Sequence, residues 1–198
     1  MPAATRNELR DKVCEAYSSA AVSPHDKHPF PVGRAFAESL GYPAPLLDAL
    51  PSISSEAFAG VSNVSLSAEI PQGATVLDLG CGAGLDSLIA ARRAAPSGKV
   101  IGIDFSTTML DRARQAAKEA AIQNVSFKYA DAERLPLDEG CIDVALVNGI
   151  FNLNPERTAI FCELARVLRP GGVVYAAELV LAGALPPHVN QTDADWFA

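Results

Sequence analysis

The sequence has no unbroken apolar run of about 20 residues, so nothing in it reads as a membrane span. It has no CxxC pair either: its four cysteines, Cys14, Cys81, Cys141 and Cys162, stand far apart. That spacing argues against a zinc ribbon or a disulfide framework as the basis of the fold. Cys141 opens an apolar run and Cys162 lies within a helical pattern, so both read as small core residues. Basic excess is lacking as well. A formal net charge of −7 argues against general nucleic-acid binding, in which lysine and arginine neutralise phosphates. The polar start, Met1 to Lys12, is not a secretory signal, and Glu8, Asp11 and Glu15 are out of place in a basic transit peptide. A cytoplasmic location and no membrane partner are therefore expected. His25 and His28 lie between Pro24 and Pro29 with no third ligand at a recognisable spacing, which reads as a loop; no metal is expected.

What is present is apolar content: 49% of the 198 residues are hydrophobic, enough for a packed core without staples. Residues 1–70 read as a helical cap. A helix is expected over Arg6–Ala20, a Pro/His loop over Ser23–Pro31, and short helices over Gly33–Leu40 and Pro45–Leu50. Pro43, Pro45 and Pro51 cut this region into pieces too short to stand alone. From residue 71 to 181 strands and helices alternate. Strands are expected at Thr75–Leu79, Lys99–Asp104, Val125–Tyr129, Ile142–Asn148 and Val173–Leu181. Helices are expected at Leu85–Ala95, after a Ser106 cap, and from Asn154-Pro155-Glu156 to the stop at Arg169-Pro170-Gly171-Gly172. The last of these should bury Ile160, Phe161, Leu164 and Leu168. Residues 182–198 read as a polar tail.

Such alternation predicts an α/β fold: a doubly wound, mostly parallel sheet with right-handed crossovers, reversing between its first and fourth strands. Ligands in such sheets sit at the reversal, above the carboxyl ends of the strands. The run Val76-Leu77-Asp78-Leu79-Gly80-Cys81-Gly82-Ala83-Gly84 reaches that point. Its glycines let the backbone turn with positive φ and approach a ligand closely. A dinucleotide fingerprint needs its third glycine where Leu85 stands, so an NAD site fits less well. Twenty residues past Gly84, Asp104 ends the second strand, where a carboxylate can accept hydrogen bonds from both hydroxyls of a ribose. It could instead cap the following helix, although Ser106 can do that. Asp131, after the third strand, can take the exocyclic amine of an adenine while the Ala132 N–H faces a ring nitrogen.

These stretches resemble the class I S-adenosylmethionine-dependent methyltransferases. The resemblance rests on VLDLGCGAG at 76–84, VIGIDFS at 100–106, ADAERLP at 130–136, IDVALVN at 142–148 and LRPGG at 168–172. It implies a Rossmann-like methyltransferase fold with S-adenosyl-L-methionine as cofactor. It also implies cofactor contacts from Asp78, Gly80, Cys81, Gly82, Gly84, Asp104, Phe105, Asp131, Ala132 and Asn148. Gly80, Cys81 and Gly82 would line the methionine part through their backbones, and Asn148 would lie near the sulfonium. Met109 would either pack on the adenine or serve in the core. The reaction implied is direct in-line methyl transfer to a small molecule. No residue stands out as its base; Tyr17, Tyr42 and His28 are candidates.

LGYPAPLLDALP at 40–51, AGVSNV at 59–64, AARRAAPSGKVIGID at 90–104 and NGIFNLNPER at 148–157 resemble the arsenite methyltransferase branch. That branch holds trivalent arsenic with cysteine thiolates, one following the glycine matching Gly60 and one following the asparagine matching Asn148. Here Val61 and Ser62 occupy the first stretch and Gly149 the second, so an arsenite acceptor is not expected. The family's sixth and seventh strands have no counterpart before Ala198, which suggests a sheet without its last two strands. A shortened subunit that binds the cofactor without full catalysis is the alternative of another class. The fifth strand should then be an edge, covered by the tail or by a second copy in a homodimer.

Overall fold

The computed structural model describes residues 6–180 and Gly183. The amino-terminal part is helical: α1 (Arg6–Val22), α2 (Arg34–Ser39), α3 (Ala44–Asp48), α4 (Ser52–Glu56) and α5 (Val64–Ser67). Prolines set these breaks. Pro45 sits in the first turn of α3, and Pro51 immediately precedes α4. The remainder alternates: β1 (Thr75–Leu79), α6 (Leu85–Ala94), β2 (Lys99–Asp104), α7 (Thr107–Glu119), β3 (Val125–Tyr129), β4 (Ile142–Asn148), α8 (Arg157–Val167) and β5 (Leu168–Ala177). The five strands are parallel in the order β3-β2-β1-β4-β5. From β1 the chain winds outward through β2 and β3, then returns to β4 on the other side. The crevice lies where those two directions part, above the ends of β1 and β4.

The central strand β1 is buried on both faces, and apolar apart from Asp78 beyond its first residue, because both faces are covered. Val76 packs with Val100, Val144 and Leu146 against Ala90, Ala91 and Ala94 of α6 and Val64 of α5. Leu77 and Leu79 face the opposite way, with Ala145 and Val147, against Ile160, Leu164 and Val167 of α8. A third cluster joins the cap to the sheet domain: Tyr42, Leu47, Leu50 and Phe58 bury themselves on Leu85, Leu88 and Ile89 of α6 and Ala116 of α7. Burying one such large side chain is worth ~1.5–3 kcal/mol, so these contacts anchor the cap firmly. Ser106 caps α7 as its sequence suggests, its hydroxyl accepting from the Met109 N–H at 3.3 Å.

Several boundaries differ from expectation. Helix α1 runs on to Val22, and α4 and α5 are additional short turns. Helix α8 begins at Arg157, because residues 151–156 are held in turns: Asn154 Oδ1 accepts from the Glu156 N–H, and Arg157 Nε donates to the Phe151 carbonyl. Phe161 is 55% exposed and stacks on Phe151 at 4.6 Å instead of entering the core. Cys162 is exposed and Cys141 partly exposed. Strand β5 begins at Leu168, and the Arg169–Gly172 stretch bulges, so that Ile142 pairs with Leu168 while Val144 pairs with Val173. It ends at Ala177; Leu181 and the tail from Ala182 lie outside the described residues, Gly183 apart. Among the described residues no helix is long and apolar enough to cross a membrane.

Candidate cofactor and acceptor site

The turn after β1 is stitched to the end of β2. The N–H groups of Gly80 and Cys81 both donate to the Ile103 carbonyl, at 2.8 and 3.0 Å. Gly80 turns the chain at φ +75°, and any Cβ there would collide with the Ile150 side chain. The Gly82 N–H donates to Asp104 Oδ2 and the Ser106 N–H to Asp104 Oδ1, each at 2.8 Å. Asp104 is buried, and burial raises its pKa against the opposing pull of the Ser106, Gly82 and Phe105 N–H groups. Each carboxylate oxygen keeps lone-pair capacity for a further donor. One carboxylate thus shapes the loop and remains available to a ligand.

Asp78, inside β1, accepts from the Ser87 hydroxyl at 2.5 Å, and burial followed by the neighbouring Asp86 pushes its pKa up to about 8. The Cys81 thiol lies under the loop, 3.8 Å from the Gly82 carbonyl, and burial raises its pKa well above the usual thiol range.

Two adjoining clefts open above this turn, and Gly80, Asp104, Phe105, Ile150 and Leu153 border both. The smaller, of about 520 Å³, lies toward β3 and is lined by Asp131, Ala132 and Glu133, with Arg10 and Val13 of α1. The larger, of about 700 Å³, lies toward the cap. Asp78, Cys81, Gly82, Met109 and Asn148 line it, with Tyr17, Ala57 and Phe58. Gly84 borders neither; it stands at φ +87° immediately before α6. Met109 is buried among Ala20, Ala21, Ala57 and Ala83, so it serves the core while edging the larger cleft, and the smaller cleft does not include it.

Asn148 is fully engaged by the cap. Its Oδ1 accepts from the Val61 and Ser62 N–H groups at 2.8 and 3.1 Å; its Nδ2 donates to the Ser62 carbonyl at 2.7 Å and to Asp86 Oδ2 at 2.9 Å. Asp86 also accepts from Tyr42 Oη at 2.6 Å and from the Ser65 hydroxyl. Sequence reasoning missed Asp86, Tyr42 and Ser65 as this anchor; the available signal was an acid inside the apolar face of α6. It also missed Arg10, an α1 residue that pairs with Asp131. Tyr17 stacks on Phe30 at 4.4 Å, and its pKa is raised by burial, then by Asp104 and Glu178. Tyr42 is raised by burial and Asp86. Both phenols therefore hold their protons, and neither is poised to act as a base. His28 Nε2 lies 2.9 Å from the Ser23 carbonyl, within its own loop. No cluster of three or more metal-ligating side chains occurs among the described residues.

Val61 and Gly149 face each other: a Cβ on Gly149 would lie 3.0 Å from Val61 Cγ1. Methyl groups fill that space.

A doubly wound sheet with a glycine turn and an acid at the end of the next strand defines a nucleoside-cofactor-binding α/β protein. The chain belongs to the methyltransferase-domain family, which it matches over residues 70–197. It is 37% identical over 160 residues to an arsenite methyltransferase of Halobacterium salinarum, covering 80% of this chain and 40% of that protein. It is 39% identical over 106 residues to a demethylmenaquinone methyltransferase of Lactococcus lactis, covering 54% and 42%. The structure of an arsenic(III) S-adenosylmethionine methyltransferase from Chlamydomonas reinhardtii superposes with a TM-score of 0.55 at 26% identity, covering 73% of this chain and 48% of that one. The matched stretch thus spans less than half the length of each of these relatives.

Proposed function

We propose that this chain transfers a methyl group from S-adenosylmethionine to a small, largely apolar molecule. The observation that carries the reading is the buried Asp104, held by the glycine turn at the junction of two clefts. In this reading Asp104 accepts from the ribose hydroxyls, Asp131 from the adenine amine, and the Ala132 N–H faces a ring nitrogen. The backbone of Gly80, Cys81 and Gly82 borders the methionine part, and Asp78 offers a carboxyl oxygen to its ammonium group. The bound cofactor supplies an electrophilic methyl carbon on a sulfonium. The protein's contribution is alignment and dryness: Phe58, Ile150 and Leu153 close the larger cleft around the acceptor and exclude water. Asn148 acts by fixing the 60–62 loop. With Tyr17 and Tyr42 protonated, the acceptor is one that reaches the site with its nucleophilic electron pair available.

The test is incubation of the protein with methyl-labelled S-adenosylmethionine and a cell extract, followed by identification of the labelled product. Label in a small apolar molecule supports the reading; no label above a heat-inactivated control contradicts it. The haloarchaeal relative gives arsenite a second reading. Val61 against Gly149 speaks against it, because a soft metalloid needs thiolates there. Methylated arsenic among the products, or arsenic retained against excess thiol, would restore it.

A further inference from the structure

Helix α1 bears one face on the site. Arg10, Val13, Cys14, Tyr17 and Ser18 fall at helical spacing, three and four residues apart, so their side chains project to the same side. The lower part of that face is pinned to the turn following Asp104. Ser18 Oγ lies 2.8 Å from Ser106 Oγ, and Cys14 Sγ lies 3.9 Å from the Phe105 carbonyl. Arg112 of α7 holds the far end, donating to the Ala21 carbonyl at 3.0 Å. Fixed in this way, α1 carries Val13 and Arg10 over the smaller cleft. The Arg10 guanidinium pairs with Asp131 Oδ1 and reaches within 4.0 Å of Glu133 Oε1. Glu133 is itself held by Asn154 Nδ2 at 2.9 Å.

Arg10 and Asp131 are 37% and 40% exposed, and a pair that open contributes little to stability by itself. Its geometry matters more than its strength. One oxygen of Asp131 is directed toward the helix, which leaves the other for a donor inside the cleft. The guanidinium plane, with its apolar faces, forms part of the cleft wall.

We propose that Arg10 is a cofactor-positioning residue: it orients Asp131 toward the adenine amine and closes the adenine-side cleft over the purine. This rests on the cofactor reading above. It makes α1 a working part of the site through Arg10.

The test is calorimetric titration of the full chain with S-adenosylhomocysteine and with methylthioadenosine, which keeps the adenosine but lacks the amino-acid part. Arg10→Ala should weaken both ligands about tenfold. Arg10→Lys, which keeps the charge but loses the planar fork, should fall between Arg10→Ala and the parent. Asp131→Asn should weaken both ligands as well, and adding Arg10→Ala to it should bring little further loss, because the two act as one unit. Equal or tighter binding by Arg10→Ala overturns the proposal, and so do fully additive losses in the double variant. If the parent protein binds neither ligand, the cofactor reading falls and this proposal falls with it. If the parent binds and Arg10→Ala is unchanged, only the proposal falls.

Discussion

The two clefts that meet at Gly80 and Asp104 are built from different materials. The smaller cleft sets a basic side chain among acids: Arg10, Asp104, Asp131 and Glu133 stand around it, and its floor is the ends of β1 and β2. The cap-side cleft sets an apolar wall of Ala57, Phe58, Ala59, Leu85 and Met109 against the buried acids Asp78 and Asp86 and contains no basic side chain. A cofactor shared by many enzymes can be met by fixed backbone and a few acids. An acceptor that differs between enzymes is better met by side chains on an appended element, which can vary while the sheet stays the same. The difference teaches where to cut: changes on the first side should strike cofactor affinity, and changes on the second should strike acceptor choice.

The largest expected effect is Asp104→Ala. Losing two charge-assisted hydrogen bonds to a ribose should weaken S-adenosylhomocysteine binding by about 3 kcal/mol in calorimetry. Val61→Ala, on the cap side, should leave that affinity within about threefold, since a difference of that size is under 1 kcal/mol. Comparable losses from both variants would erase the distinction between the clefts.

Next is Asn148→Ala. It leaves Asp86 without one donor and the Val61 and Ser62 N–H groups without their acceptor, which should lower stability by about 2–3 kcal/mol in urea denaturation. A variant as stable as the parent would remove Asn148 from the cap anchor.

A smaller effect is a pH dependence from Asp78. Its folded pKa of about 8 lies far above the ~4 of an unfolded aspartate, so between those values the folded chain holds an extra proton. The stability it contributes is full below about pH 4 and is lost as pH rises through about 8. Asp78→Asn should flatten that decline in melts run across the window; an unchanged slope would assign the dependence to other groups.

The smallest is at the sheet edge. Val173 and Val174 of β5 are 45% and 37% exposed, and we propose that a second copy or the 182–198 segment covers them. Val174→Lys should lower self-association in light scattering without altering the melt. A parent that stays monomeric at every concentration removes the second copy as the cover.

Most of the sheet was legible. β1, β2 and β4 fall where their apolar runs place them, because these strands are largely buried, and the half-exposed edge strand β3 falls where its short Val-Ser-Phe-Lys-Tyr alternation places it. The placing of Gly80, Asp104 and Asp131 around one cleft was legible for a related reason: all three stand at or just past strand ends, whose positions follow from the strands. Phe161 was misplaced because helical spacing does not say which neighbours will cover it. The start of α8 was missed because an Asx turn at Asn154 and the Arg157 bond to Phe151 use the chain's capping signals outside the helix. The cap anchor of Asp86, Tyr42, Ser65 and Asn148 joins residues up to 106 positions apart, from Tyr42 to Asn148. Nothing local in the sequence announces such a network.

The central claim is that the junction of the two clefts is an S-adenosylmethionine site. Titrating the unmodified protein with S-adenosylhomocysteine, and separately with NAD, tests it most directly. The account predicts a single saturable site for S-adenosylhomocysteine and little or no heat with NAD. Tight NAD binding, with S-adenosylhomocysteine inert, would contradict it.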